Sequence, residues 1–284
     1  MHADGKVGGS PLRLSCLPVS FFAAISQRQM PLEEWLDLAA ELGLDGVECG
    51  PLLVKPLGPV APGEFRRLAE VRGLAVSNFT GYTDFTRPEP EAREREVSAA
   101  FEALRVAQEV GAPSFRALTG QRRAGVEVAQ GVEWVAAGLR QVAEEAMRLG
   151  LRVNLENHTK AFTWDDFDFA MRGDVFLRVV DALGDSAVGV QFDVANPLVA
   201  EEDALALLER VKSSVGYVHL NDVRRAGAFE FVPVGSGIAP IREALVALRA
   251  VGYEGWVGIE EASRTGNAGF REAVANARRL LAEA

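Results

Sequence analysis

Cysteine is scarce in this sequence. Cys16 and Cys49 are the two present in 284 residues, too few for the disulfide framework of a secreted scaffold. Both sit in apolar segments and read as core packing, which suits a reducing, cytoplasmic setting. Basic residues are outnumbered, 30 Lys and Arg against 40 Asp and Glu, for a formal net charge of -10. That argues against general attraction to a nucleic-acid backbone or an anionic membrane, since both need a basic footprint. Long apolar runs are missing as well; none approaches the about 18–20 residues of a bilayer span. No Pro/Ser-rich linker or low-complexity tract divides the chain, so it reads as one domain. The first eleven residues, Met1 to Pro11, are polar and Gly-rich. They lack the apolar centre of a signal peptide and are expected to be a flexible tail, with the domain covering 12–284.

What is present is alternation. Short β-rich runs at Leu12–Val19, Gly46–Cys49, Leu74–Asn78, Ser114–Leu118, Arg152–Glu156, Val188–Asp193, Val215–Leu220 and Gly255–Glu260 are separated by stretches with helical apolar spacing. Glycine recurs where helix gives way to strand, at Gly43, Gly111, Gly150 and Gly252, where it supplies the left-handed residue that ends a helix. Eight strands alternating with eight helices predict an α/β fold, a single-domain (β/α)8 TIM barrel. The long segment Asn221–Ala239 after the seventh strand has room for a small hairpin.

In such a barrel the chemistry lies at the C-terminal ends of the strands. The last four strands end on Glu156, Asp193, His219 and Glu260. Four such groups on successive strands converge on the barrel axis, and three carboxylates gathered there would repel one another without a cation. The donor set, mostly hard oxygen with one nitrogen, suits one divalent metal ion: Mn, Mg or Co, with Zn also compatible.

The motifs Glu156-Asn157-His158, Phe192-Asp193-Val194-Ala195-Asn196-Pro197, Val218-His219-Leu220-Asn221-Asp222, Pro233-Val234-Gly235-Ser236-Gly237 and Ile259-Glu260, in that order, resemble the xylose isomerase-like barrels, in particular their sugar phosphate isomerase/epimerase branch. The resemblance implies that Glu156, Asp193, His219 and Glu260 bind the metal. It also implies a sugar or sugar phosphate isomerase or epimerase. Glu156 and Glu260 would then act as proton carriers beside a metal-chelated carbonyl, through an enediolate. His158 and Asn196 are candidates to bind substrate; Asn196 could instead cap the next helix. Asp222 could steady His219 or Arg225. Arg225 stands six residues past His219, where ketose epimerases of this superfamily carry a substrate arginine, and Arg224 competes for that role. Glu48, Asn78 and Arg116 end the second, third and fourth strands and are expected to be structural or supporting. Phe21, Phe22, Tyr82 and Phe85 are expected to form an apolar rim.

Two positions depart from the 3-epimerase pattern. Phe162 stands where those enzymes usually carry a glutamate, and Asn196 where they often carry a histidine. The Glu-Pro-Lys metal motif of xylose isomerase itself does not occur. Loss of a β-hydroxyl from the same intermediate would make the chain a dehydratase of the inosose or dehydroshikimate type, the alternative activity. A DNA-repair nuclease like endonuclease IV needs several histidines, and this chain has three, including His2 in the tail. A non-catalytic sugar-binding barrel would not need the full ligand set. The partner is therefore expected to be a small sugar-like or polyol-derived molecule, with a homo-oligomer as the family's common assembly.

Overall fold

The computed structural model describes residues 12–284; the tail expected at 1–11 lies outside the described residues. Eight parallel strands alternate with helices. They are β1 (Arg13–Leu17), β2 (Gly46–Cys49), β3 (Ala75–Thr80), β4 (Ser114–Ala117), β5 (Arg152–Glu156), β6 (Val188–Asp193), β7 (Val215–Leu220) and β8 (Trp256–Glu260). From β2 to β8 each strand pairs with the next in sequence and β1 pairs with β8, an order that curls the sheet into a barrel and leaves β1 and β2 at its seam. The seam between β1 and β2 is bridged by Asp45, whose N–H donates to the Leu14 carbonyl at 2.9 Å while its carboxylate accepts from Leu14 N–H at 2.8 Å. The eight-stranded, single-domain barrel expected from the alternation is what forms.

The strand bounds differ from the expected ones only at the ends, where turn residues compete with extended backbone. β1 stops at Leu17 because Pro18 leads into a helical turn at Val19–Phe21. The four junction glycines all take positive φ, from +68° at Gly43 to +82° at Gly111, so each ends its helix without the steric penalty that a Cβ would carry. The helices Leu32–Glu41, Pro90–Glu109, Val128–Arg148 and Ile241–Ala250 turn apolar stripes inward. A single core of Leu, Val, Phe and Ala fills the space between them and the strands.

The barrel interior is more polar than the branched aliphatic filling usual for this architecture. Near the strand starts, Tyr217 Oη lies 2.8 Å from Ser15 Oγ and 2.9 Å from Ser77 Oγ. One layer higher, Asn78 Nδ2 donates to Glu48 Oε2 at 3.2 Å and to Gln191 Oε1 at 2.9 Å, and Asn78 Oδ1 accepts from Ser114 Oγ at 2.8 Å. These groups are fully or almost fully buried and partnered, as interior polar groups must be. They form a scaffold beneath the strand ends.

The segment after β7 folds as the hairpin expected from its length. Val223 bridges Phe231 in antiparallel fashion, and Val232 N–H donates to the Asp222 carbonyl at 3.0 Å.

Candidate metal centre and substrate pocket

The register of the last four strands decides which side chains meet. Glu156 pairs with Gln191, and a bulge between Val190 and Gln191 brings Asp193 level with His219. Glu156, Asp193 and His219 each offer a ligating atom, and these atoms all lie within 4.8 Å of one another, fully buried. Glu260 is set at the margin of this group. Its Oε2 is 4.0 Å from His219 Nδ1 and accepts from Asn221 Nδ2 at 2.8 Å.

His219 is clamped between two carboxylates, Nε2 at 2.9 Å from Glu48 Oε2 and Nδ1 at 2.8 Å from Glu156 Oε1. Burial alone would lower its basicity, but the Glu48 and Glu156 charges overcome that and hold the imidazole well above its ordinary value. Burial also pushes the Glu156 carboxyl up. Arg116 Nη1 at 3.0 Å and the His219 ring reverse the shift and hold Glu156 well below the usual carboxylate range. Asp193 moves the opposite way: burial, then the Glu260 and Glu156 charges, push it well up.

Asp193 also has an unequal pair of oxygens. Oδ1 accepts from the N–H groups of Ala195 and Asn196 at 2.8 and 2.7 Å. Oδ2 is buried with no hydrogen-bond partner. A buried carboxylate oxygen without a donor is costly, and one facing two like charges is costlier. A divalent cation removes both penalties, since it is a Lewis acid for the free oxygen and a counter-charge for the cluster. The residues present therefore fit a metal. Glu156, Asp193 and His219 would hold it, and Glu260 stands at the edge.

The strand-end residues of the first half do more than the expected supporting work. Arg116, 1% exposed, grips Glu156 and lies 4.9 Å from the centre of the Tyr82 ring. Glu48 crosses the barrel to His219, and Gln191, on the same face of β6 as Asp193, donates to Glu156 Oε1 at 3.1 Å. Space for Glu48 is left by Gly258. A Cβ there would collide with Glu48 Oε1 and would sit 2.8 Å from Tyr217 Oη.

A cavity of about 750 Å³ opens above the centre. Arg116, His158, Asn196, Asn221 and Glu260 line its polar part. His158 Nδ1 is 3.6 Å from Asp168 Oδ2, and its ring meets Trp164 edge-on at 6.0 Å. Burial pushes Asp168 up against the opposing pull of His158; its Oδ1 is anchored by Thr119 Oγ1 and Ala170 N–H. Asn196 begins the short helix Asn196–Val199, and its Oδ1 accepts from Thr159 Oγ1 at 3.3 Å. A second cavity, about 600 Å³, lies at the opposite end of the barrel among Arg13, Arg152 and Lys212; none of the candidate ligands lines it.

Two expectations about the loop after β7 need correction. Asp222 does not hold His219 or Arg225. Its carboxylate accepts from the N–H groups of Val223, Gly235, Gly237 and Ala239, at 2.8 to 2.9 Å. It gathers the loop backbone, a use that only the loop's folded course reveals. Arg225 does not enter the cavity. It is exposed and bonded to Glu230 at 2.7 Å across the hairpin, because the turn carries it outward. The rim is also partly different. Phe22 and Tyr82 line the cavity. Phe21 instead packs on Phe270 with ring centres 4.4 Å apart, and Phe85 is fully buried. Phe162, Phe229 and Phe231 take their places.

Sequence comparison agrees with this architecture. A family model described as xylose isomerase-like TIM barrel matches residues 36–281, and the chain belongs to that family. Among curated proteins it is similar to the inosose dehydratase of Lacticaseibacillus casei, 23% identical over 148 residues. That match covers 45% of this chain and 47% of the relative, so the chain spans about half the length of the curated relatives it matches. Among solved structures it is similar to an L-ribulose 3-epimerase, with a TM-score of 0.78, 19% identity and 95% of each chain covered. It is also similar to the IOLI protein, whose structure holds a zinc atom, with a TM-score of 0.76, 14% identity, and 95% of this chain and 96% of that one covered. The proteins it is similar to thus include an epimerase, a dehydratase and one whose structure holds zinc. No helix among the described residues is long and apolar enough to cross a membrane.

Proposed function

We propose that this chain is a metal-dependent isomerase or epimerase that moves a proton at a carbon beside a carbonyl in a small polyhydroxylated substrate. Glu156, Asp193 and His219 are the residues that would hold one divalent cation, with Glu260 at its edge. The observation that carries this reading is the buried, partnerless Asp193 Oδ2 among like charges at the barrel mouth. A bound cation supplies the positive charge that makes a C–H beside a carbonyl acidic.

The protein's own groups divide the remaining work. Glu260 is the better situated of the two glutamates to take the proton. It lines the cavity, and its one side-chain donor is Asn221. Glu156 has Arg116 on one oxygen and His219 with Gln191 on the other, which keeps it ionised and suits it to binding. His158 and Asn196 turn polar atoms toward the same space and would orient substrate hydroxyls. Arg116 also lines the cavity and offers a cation to a substrate oxygen. The two cysteines are buried and unpaired, in keeping with a reducing, cytoplasmic compartment.

The test is proton exchange. Chelator-stripped protein is reloaded with Mn, Mg, Co or Zn and incubated in D2O with a panel of ketoses, inososes and sugar phosphates. The expected result is metal-dependent deuterium incorporation beside the carbonyl, read by NMR. Absence of bound metal together with absence of exchange across the panel would overturn the reading.

The similarity to inosose dehydratase favours a second reading, a lyase that expels a β-hydroxyl from the same site. New ultraviolet absorbance on incubation with 2-keto-myo-inositol or 3-dehydroshikimate would select it.

A further inference from the structure

The cavity is larger than a single sugar requires. At about 30 Å³ of liquid volume per water, its 750 Å³ has room for roughly 25 water-sized units, about twice the dozen or so non-hydrogen atoms of a hexose. Bonded atoms pack more tightly than waters, so the true excess is greater.

The extra room is apolar. Phe22, Leu52, Tyr82, Phe162, Phe229 and Phe231 line the cavity, and they come from the loops after β1, β2, β3, β5 and β7. Phe162 is 59% exposed and Phe229 47% exposed, both among the most exposed large apolar residues described. Neither ring is loose. Phe162 meets Tyr82 edge-on at 5.2 Å, and Phe229 stacks on Phe167 at 6.0 Å with the planes 6° apart. Exposed aromatic surface held in place beside a polar cleft marks a ligand surface rather than unfinished core. Rings already fixed by other rings lose little further freedom when a ligand covers them. Two cations, Lys160 and Arg264, also border the cavity; the Lys160 ammonium is engaged by the Asp165 carbonyl at 2.9 Å.

We infer that the mouth of the cavity is a seat for a flat apolar group carried by the substrate. The substrate class is then a glycoside with an aryl aglycone whose sugar ring itself carries the carbonyl, a keto-glycoside: the sugar occupies the polar end by the strand ends, and the aglycone lies between the Phe162–Tyr82 and Phe229–Phe231 walls. The inference rests on the reading of the polar end as a sugar site.

The test uses binding, so it stands apart from turnover. Methyl and phenyl glycosides of glucose, galactose and xylose, which lack the carbonyl and so serve as unreactive analogues, are titrated into the metal-loaded full-length protein by calorimetry, alongside glucose 6-phosphate. The expected result is that the phenyl member of at least one pair binds about tenfold more tightly than its methyl partner. In the double variant F162A/F229A that preference should vanish while the methyl glycoside's affinity stays unchanged. Both side chains are exposed, and an unchanged melting temperature verifies the fold. Three outcomes would overturn the inference: no phenyl preference in any pair, a preference that survives in the double variant, or tightest binding by the sugar phosphate through Lys160 and Arg264. Failure of the proton-transfer reading would show instead as absent deuterium exchange, with the binding preference intact.

Discussion

Strands β5 to β8 bring Glu156, Asp193, His219 and Glu260 to the barrel axis; strands β2 to β4 bring Glu48, Asn78 and Arg116 to the same place. The first set is short of donors, with Asp193 Oδ2 unpartnered. The second set supplies the contacts that hold the first: Arg116 on Glu156, Glu48 on His219, and Asn78 on Gln191, which in turn touches Glu156. The contrast teaches that the proposed ligand residues and the residues that hold them divide between the two halves of the barrel. Substitutions in each half should therefore fail in different ways.

The largest effect is expected in the second half. Glu156→Gln and Asp193→Asn should each abolish tight metal binding and lower turnover by about a thousandfold; Asp193→Asn should keep a melting temperature close to the parent's, whereas Glu156→Gln also leaves the buried Arg116 guanidinium unpaired and should melt lower. Metal analysis and exchange kinetics check this; retained metal and activity would break the division. In the first half the order reverses. Arg116→Met leaves Glu156 buried without its guanidinium, which for buried pairs costs about 3–5 kcal/mol, read by denaturant melts. The double variant R116M/E156Q should recover much of that loss, because no unpaired charge remains. Melts that simply add would show that the pair is not coupled.

A third prediction joins the halves at His219. Burial lowers its value, but Glu48 and Glu156 raise it further, so the metal-free folded state binds a proton there more tightly than the unfolded chain. The resulting stabilisation is complete below the unfolded value of about 6.5 and is lost as pH rises through the higher folded value. Metal needs the neutral imidazole, so uptake should release about one proton near neutral pH and strengthen as pH rises. Calorimetry in two buffers of different ionisation enthalpy measures that proton. No buffer dependence would show that His219 is not a ligand.

Smaller effects belong to the loop after β7. Asp222→Ala strips four backbone N–H groups of their acceptor. About 1–3 kcal/mol of local stability should go with it, together with a higher KM and little change in kcat, since Asn221 and Phe231 on this segment line the cavity. Arg225→Ala should alter neither kinetics nor melting, its contact being an exposed one with Glu230; a tenfold loss of kcat/KM would return it to the site.

The barrel was legible because its signals are local. Glycine at 43, 111, 150 and 252 ends helices by backbone conformation, and apolar runs before polar strand ends need no long-range information. The convergence of Glu156, Asp193 and His219 followed from the architecture alone. What escaped were partnerships set by distance across the barrel. Nothing local distinguishes Arg116 or Glu48 from ordinary strand-end charges, and it is the 40 residues between Arg116 and Glu156 that the fold has to close. Gln191 could have been noticed, being two residues before Asp193 and so on the same face of its strand. Asp168 and the rim residues Phe229 and Phe231 lie in irregular segments, where no periodicity says which way a side chain turns. The outward course of Arg225 was hidden for the same reason.

Gly258 carries a lesson for redesign. The loops that shape the mouth can be exchanged with little reference to the interior, and new substrate ranges can be sought there. The absent side chain at 258 is different in kind. It is a vacancy that Glu48 occupies, so even alanine would push that carboxylate off His219 and unbalance the charges three strands away. A library aimed at altering what this barrel accepts should diversify Phe162 and Phe229 freely and leave position 258 a glycine.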